Sequence, residues 1–159
     1  MKKMLGKNLL LTALLCLSSL ALMSAPFTAA LSESSAINLG YFNKLAVNGY
    51  DVMTIWRGGK PQEGDPGITF DYGGATWVFI SQENRDAFAA DPDAYAPQYG
   101  GYCAYAAAQG EVSDVDVFAW QIHKGKLYLN YSPRVQREWG SRIDENIEKA
   151  DAIWPNPLQ

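Results

Sequence analysis

Three side chains beyond residue 30 carry the soft donor atoms that could hold a transition metal: Cys103, His123 and Met53. Soft metals such as copper prefer thiolate, imidazole and thioether ligands. The three residues are therefore candidate ligands, provided that the fold brings them together. A structural zinc site takes four nitrogen or sulfur ligands, which this set cannot supply. The alternatives are an exposed turn residue for His123, which precedes Lys124-Gly125, and a core filler for Met53.

Cys103 is also the candidate nucleophile or redox thiol. We expect Gly101-Tyr102 to begin a helix, so that Cys103 lies in its first turn, where the helix dipole and free amides favour a thiolate. His123 is the single histidine that could serve as its base. The alternative is a small buried residue on an alanine-rich helix, which is the usual place of a free cysteine. The sequence favours this alternative, and thus a protein that is not an enzyme.

Tyrosines form a further candidate site, because a tyrosine offers an apolar ring and a polar hydroxyl to a pocket. Four of them fall between residues 95 and 105, and the spacing of Tyr102 and Tyr105 would place both on one helix face. The alternative is packing with outward hydroxyls. Upstream, Asp51 is a helix cap or a buried functional carboxylate. We predict that the ligand-binding residues are Tyr50, Asp51, Tyr99, Tyr102, Cys103 and Tyr105.

The first 30 residues have the pattern of a secretory signal peptide, with three early lysines, an apolar run over 9–23 and a small-residue cleavage site at Thr28-Ala29-Ala30. The run is shorter than the ~20 apolar residues that a bilayer span needs. We therefore expect a periplasmic or secreted protein with no stable membrane span after cleavage. Cleavage removes Cys16, so Cys103 would stay unpaired in an oxidising compartment or pair with another chain.

Composition excludes several classes of protein. A chain that is 48% hydrophobic and 13% aromatic is too apolar to be disordered. Its net charge of -4 would fall further on loss of the three lysines, which argues against a nucleic-acid partner. Its length of 159 residues favours one domain.

These residues must be positioned by hairpins and helices. Gly73-Gly74 predicts a hairpin of 68–72 with 75–80, and Lys124-Gly125 predicts a second hairpin of 118–123 with 126–131. Ser81 can cap a helix over 82–90, and 102–109 is predicted to be helical. Pro133 begins a last helix that runs to 154 and can split at Gly140-Ser141. We find no internal repeat of fixed period. The expected fold is α+β, a small single domain with two β-hairpins packed against helices and a C-terminal helix or helix pair.

Two groups of motifs resemble a known family. The first comprises Asn48-Gly49-Tyr50-Asp51, 72–81 (YGGATWVFIS), Phe88 and 91–95 (DPDAY); the second comprises 95–104 (YAPQYGGYCA) and 125–131 (GKLYLNY). Together they are similar to the YHS domain and to a longer, secreted bacterial subgroup of YHS-domain proteins. The resemblance implies a YHS-like domain over 46–155. With the signal peptide over 1–30, we expect a loose lead-in over 31–45 and a tail over 156–159.

The function that this resemblance implies is a secreted binding module with a link to copper handling. Its partner would be a small ligand or an envelope protein. Metal-handling YHS domains carry cysteines at positions matched here by Thr54, Ile80 and Asn84, so the implied copper link lacks those thiols. The alternatives are a thiol-dependent enzyme or redox protein that uses Cys103, and a structural accessory domain of an envelope complex.

Overall fold

A computed structural model describes residues 36–40 and 44–155 of the chain, all of which belong to the compact unit Leu31–Gln159. The predicted signal peptide over 1–30 and the predicted tail over 156–159 lie outside the described residues. Within the described ranges, no helix is both long and apolar enough to cross a bilayer.

The described chain contains six strands and six α-helices, and two short 3-10 helices at Ala46–Gly49 and Tyr99–Gly101. The order is β1 (Tyr50–Asp51), α1 (Val52–Trp56), β2 (Gln62–Glu63), β3 (Asp65–Tyr72), β4 (Ala75–Phe79), α2 (Gln82–Ala90), α3 (Pro92–Tyr95), α4 (Ala104–Ala107), β5 (Asp116–His123), β6 (Lys126–Asn130), α5 (Pro133–Ser141) and α6 (Ile143–Ile153). The strands pair as three antiparallel two-stranded sheets, β1-β2, β3-β4 and β5-β6. The predicted α+β class is confirmed.

Both predicted hairpins are confirmed, with the turns where the sequence placed them. Gly73 and Gly74 have φ of 63° and 78°, and Lys124 and Gly125 have φ of 48° and 72°. Positive φ at both turn residues is what a type I′ hairpin turn requires, and it fits the right-handed twist of the strands. The predicted split of the last helix is also confirmed, because α5 ends at Ser141 and α6 starts at Ile143.

The two halves of the domain repeat one order of elements, although the sequence shows no internal repeat of fixed period. The helices α2 and α5 begin at Gln82 and Pro133, 51 positions apart, and each has nine residues capped by a serine. Both hairpins lose register after an initial aspartate, Asp65 or Asp116, which is also 51 positions from its counterpart. In each case the aspartate side chain accepts a hydrogen bond from the amide two residues on, at 2.8 and 2.9 Å.

The repeat extends to the start of each half. Val47, Asn48 and Gly49 have φ of 52°, 54° and 82°, and they are followed by the capping residue of α1. Fifty-two positions later, Tyr99, Gly100 and Gly101 have φ of 54°, 60° and 78°, and they precede the capping residue of α4. A run of three left-handed residues is rare, so its recurrence at one structural position relates the halves. We call residues 46–96 the first half and 98–153 the second half.

The halves fill their interiors differently. In the first half, α1 contributes Val52 and Ile55 to a core with Trp77, Phe79 and Phe88, and each of the five is at most 1% exposed. In the second half, the fully buried residues of α4 are alanines, and the neighbouring core is built from Tyr99, Tyr128 and Trp139 with Ala150 of α6. Aromatic rings and the eleven-residue α6 therefore pack around the small residues of α4.

The described part of the predicted lead-in contacts the second half. Asn38 is buried, its amide donates to the Gly100 carbonyl at 2.8 Å, and its side-chain Nδ2 donates to Asp114 Oδ1 at 3.0 Å. This segment passes so close to Gly100 that a Cβ there would lie 1.8 Å from the Ala36 carbonyl oxygen.

Candidate functional site

Asp51 is fully buried at the N-terminus of α1, where its carboxylate accepts three hydrogen bonds. Oδ1 accepts from the Met53 amide at 2.8 Å, and Oδ2 accepts from the Ile80 amide at 2.8 Å and from Asn84 Nδ2 at 2.6 Å. The side chain thus caps α1 and connects it to the end of β4 and to α2. The predicted capping role is confirmed, and all three donors are parts of the fold.

The positions that the family resemblance matches with cysteines lie around this same carboxylate. Ile80 and Asn84 donate to it directly, and Thr54 Oγ1 donates to the Asp51 carbonyl at 2.7 Å. Thr54 and Asn84 are 4% and 3% exposed. The side chains of Thr54 and Asn84 therefore take part in hydrogen bonds around Asp51.

Cys103 occupies the equivalent position in the second half. It is 2% exposed and lies at the N-cap of α4, not in its first turn, and α4 spans only four residues. The predicted helix over 102–109 starts late because Gly100 and Gly101 are left-handed and Tyr102 is extended, with ψ of 166°. The predicted place of Cys103 in the first turn of a helix over 102–109 is therefore wrong.

The Cys103 side chain makes no capping hydrogen bond to α4, but its thiol accepts at the end of the second hairpin as Asp51 does at the end of the first. The Tyr131 amide donates to Sγ at 3.3 Å, just as the Ile80 amide donates to Asp51. Asn130, on β6, supplies the other acceptor: its Oδ1 lies 3.3 Å from the Tyr105 amide and 3.9 Å from the thiol. Together, Cys103 and Asn130 therefore accept the two backbone hydrogen bonds that correspond to those accepted by Asp51 from Met53 and Ile80.

The structure does not bring the three candidate metal ligands into one cluster. Cys103 lies beside Leu129 of β6, whereas His123 lies at the far end of the same hairpin, where its Nε2 is 2.8 Å from Asp144 Oδ1. Lys124 Nζ contacts the same oxygen at 2.9 Å, and these two contacts lower the pKa of Asp144, the Lys124 contact more strongly. Met53 is buried in the core of the first half. Over residues 36–40 and 44–155, no three His, Cys, Asp or Glu side chains converge as metal ligands.

The predicted tyrosines take different positions. Tyr99 is 6% exposed, and its hydroxyl donates to Asp151 Oδ1 at 2.9 Å; burial, and then this carboxylate, raise its pKa. Tyr105 is half-buried between the two cores. Because α4 starts at Ala104, Tyr102 is not helical, and the expected shared face of Tyr102 and Tyr105 is wrong.

Tyr102 lines an open cavity of about 330 Å³. Its ring packs against that of Trp154, with the ring centroids 6.0 Å apart. The cavity wall also includes Asn38, Val112, Ser113 and Asp114. Burial, and then the charge of Asp114, raise the pKa of Tyr102. Val112 is 44% exposed. We call this site the Tyr102 cavity.

The remaining predicted residue, Tyr50, belongs to an aromatic and acidic surface that links the two halves. Its ring meets Phe118 edge-on, with centroids 5.7 Å apart, and Phe118 is 52% exposed. Tyr50 pairs with Glu63 across β1 and β2, and Asp116 accepts from the Phe118 amide. Partial burial, followed by the charge of Glu63, a hydrogen bond to the Glu63 carboxylate and the charge of Asp116, raises the pKa of Tyr50. We call these four residues the Tyr50–Phe118 surface.

Sequence reasoning missed three members of this surface, namely Glu63, Asp116 and Phe118. The signal that could have found them is the repeat itself. The counterpart of Phe118, 51 positions earlier, is Gly67, so this turn does not need an aromatic side chain to form.

Comparison with known proteins adds no relative: no family model, no curated protein and no solved structure matches this chain.

Proposed function

We propose that this protein is an exported binding module that captures a lysine or arginine side chain of a partner protein or peptide on the Tyr50–Phe118 surface. The observation that carries the proposal is Phe118. This phenylalanine is 52% exposed, packs edge-on against the Tyr50 ring and follows Asp116 by two residues, at a position where the first half has glycine.

The chemistry of the surface suits a cation. An ammonium or guanidinium group within about 6 Å of an aromatic centroid gains roughly 0.5–1 kcal/mol at an exposed site. Glu63 is exposed and Asp116 is half-buried, and within the described part of the chain neither takes part in an ion pair. The aromatic rings would hold the alkyl stem and face of the cationic side chain while the carboxylates hold its charge.

The overall charge points to the same class of partner. With 17 acidic and 13 basic residues, the protein attracts cationic partners and repels anionic ones, which raises the association rate of a basic partner at low salt. In contrast, the groups with intrinsic reactivity, Asp51 and Cys103, are buried and hydrogen-bonded to the backbone of the fold. This arrangement supports recognition at an aromatic surface over catalysis at either group.

The test is an NMR titration of the protein with a lysine-containing pentapeptide and with the same peptide carrying norleucine instead. We expect saturable shifts at Tyr50 and Phe118 with the lysine peptide, at least tenfold weaker binding of the norleucine peptide, and weakening of the lysine complex when the salt concentration is raised. Equal binding of the two peptides, or shifts that avoid Tyr50 and Phe118, would refute the proposal.

Variants separate the roles of ring and charge. Phe118→Gly installs the residue of the first half and should abolish the shifts at Tyr50, whereas Phe118→Leu keeps apolar area and should lose only the contribution of the ring. Glu63→Gln should weaken binding severalfold. Glu148→Gln removes the same charge from the exposed side of α6 and is the matched control, which should bind as the parent protein does.

A further inference from the structure

The geometry points to a second cation site in the Tyr102 cavity, equivalent to the Tyr50–Phe118 surface and open to a second lysine or arginine side chain. This inference rests on the proposed function, because it assigns the same ligand chemistry to the second half.

The equivalence follows from the repeat. Tyr50 and Tyr102 each directly precede the capping residue of the first helix of their half, Asp51 and Cys103. Each also follows the run of three left-handed residues. The tyrosines are therefore placed by the same backbone conformation, and the residue type is the same at both positions.

A carboxylate accompanies each tyrosine at the same place. Asp51 pairs with Gln62 across β1 and β2, and the equivalent contact in the second half is the Cys103 amide donating to the Ser113 carbonyl at 3.0 Å. The next residue is Glu63 in the first half and Asp114 in the second. Their charges act on the hydroxyls of Tyr50 and Tyr102 respectively, in both cases raising the pKa of the tyrosine after the larger effect of burial.

The walls of the two sites differ, and the difference supports a ligand in the second. Phe118 packs against Tyr50 and Trp154 packs against Tyr102, which also lines a cavity of about 330 Å³ with Val112 44% exposed on its wall. Asp114 is held in place because its Oδ1 accepts from Asn38 Nδ2 at 3.0 Å and from the Val115 amide at 2.8 Å. An oriented carboxylate, an aromatic ring and an exposed apolar side chain around one opening suit the charged head and alkyl stem of a lysine.

The experiment is the same titration with the lysine pentapeptide, followed at both sites and completed by calorimetry. We expect two peptides bound per chain, with one set of shifts at Tyr50 and Phe118 and another at Tyr102 and Val112. Asp114→Asn should remove the second set and leave the first, and Glu63→Gln should do the reverse. Tyr102→Leu, which keeps apolar volume, should also remove the second set if Asp114→Asn disturbs its loop.

The outcomes are distinguishable from those of the proposed function. One peptide per chain with shifts confined to Tyr50 and Phe118 would overturn this inference and leave the proposed function standing. Shifts at Tyr102 and Val112 alone would uphold the second site and overturn the first. A titration that moves neither set would overturn both.

Discussion

The two halves of this domain solve one structural problem with different chemistry. Each must connect the start of its first helix to the end of its hairpin, where a backbone amide (Ile80 or Tyr131) needs a buried acceptor. The first half uses the carboxylate of Asp51, which takes three donors. The second half uses the thiol of Cys103 together with the amide oxygen of Asn130.

The difference teaches how to interpret a lone cysteine. Taken alone, Cys103 in a tyrosine-rich, glycine-rich stretch has the features of a reactive group. Beside its counterpart Asp51, it is a buried acceptor that satisfies a backbone amide of the adjacent strand end. We also expect Asp51 to stabilise the fold more than Cys103 does, because hydrogen bonds to a charged acceptor are roughly twice as strong as those to a neutral one.

Removing the first cap should have the largest effect. Asp51→Ala leaves the Ile80 and Met53 amides and Asn84 Nδ2 without their acceptor inside the protein, and each unsatisfied buried donor costs about 1–3 kcal/mol. We expect a loss of at least about 3 kcal/mol in the free energy of unfolding, measured by urea denaturation. Glu111→Ala, at an exposed acid, is the control. A loss below about 1 kcal/mol would show that Asp51 is not the cap described here.

Exchanging a residue between the halves should come next. Gly100→Asn installs the residue type of Asn48, which holds a φ of 54° in the first half. The left-handed backbone therefore tolerates asparagine, but the Ala36 carbonyl lies 1.8 Å from the position of its Cβ. We expect about 2 kcal/mol of destabilisation by thermal unfolding, from displacement of the segment that carries Asn38. Gly125→Asn, at a left-handed turn with nothing within 4 Å of its Cβ, should cost well under half as much.

Loss of the Cys103 thiol should destabilise the protein less than loss of the Asp51 carboxylate. Cys103→Ala removes the acceptor of the Tyr131 amide but leaves Asn130 to accept from Tyr105. We expect a loss of about 1–2 kcal/mol by urea denaturation, smaller than that of Asp51→Ala. Cys103→Ser keeps an acceptor of similar size and should recover part of the loss. If the cysteine variant proved the more damaging of the two alanine substitutions, the ranking of the two acceptors would be wrong.

Alkaline pH should act on the tyrosines whose pKa the fold raises, among them the hairpin residues Tyr72 and Tyr128. A hydrogen bond to Asp93, followed by burial, raises the pKa of Tyr72 to about 12, and burial, followed by the charges of Asp151 and Asp144, raises that of Tyr128 to about 12. Because the folded protein keeps these protons when the unfolded chain loses them near 10, their contribution is complete below pH 10 and is lost as pH rises to about 12. Tyr128→Phe should flatten the fall in the free energy of unfolding between pH 10 and 12. An unchanged slope would contradict the assignment.

The sequence predicts much of the framework because its signals are local. Gly73-Gly74 and Lys124-Gly125 have the turn residues of hairpins, and Ser81, Ser132 and Pro133 have the side chains that begin helices. The capping role of Asp51 follows from the same local chemistry.

The repeat and the sites are harder to predict, because they depend on contacts between distant segments. Few residue types recur across the halves, and the equivalent acceptors, Asp51 and Cys103, differ in chemistry. Asn130 can accept from the start of α4 because Cys103 pairs with Leu129. The contact between Tyr50 and Phe118 joins residues of different halves. The predicted helix start at Tyr102 is wrong for a similar reason, because a contact with a distant residue, Asn38, holds the left-handed backbone at Gly100.

The most direct test of the central claim, that the chemically reactive side chains hold the fold while aromatic surface does the recognising, is thiol labelling of the native protein. In a Cys16→Ser chain, Cys103 is the single cysteine. We predict that an aromatic disulfide reagent leaves it unlabelled at neutral pH, and that labelling proceeds only at the rate of unfolding and becomes complete in denaturant. Rapid, stoichiometric labelling of the folded protein would contradict the account and would make Cys103 a reactive thiol after all.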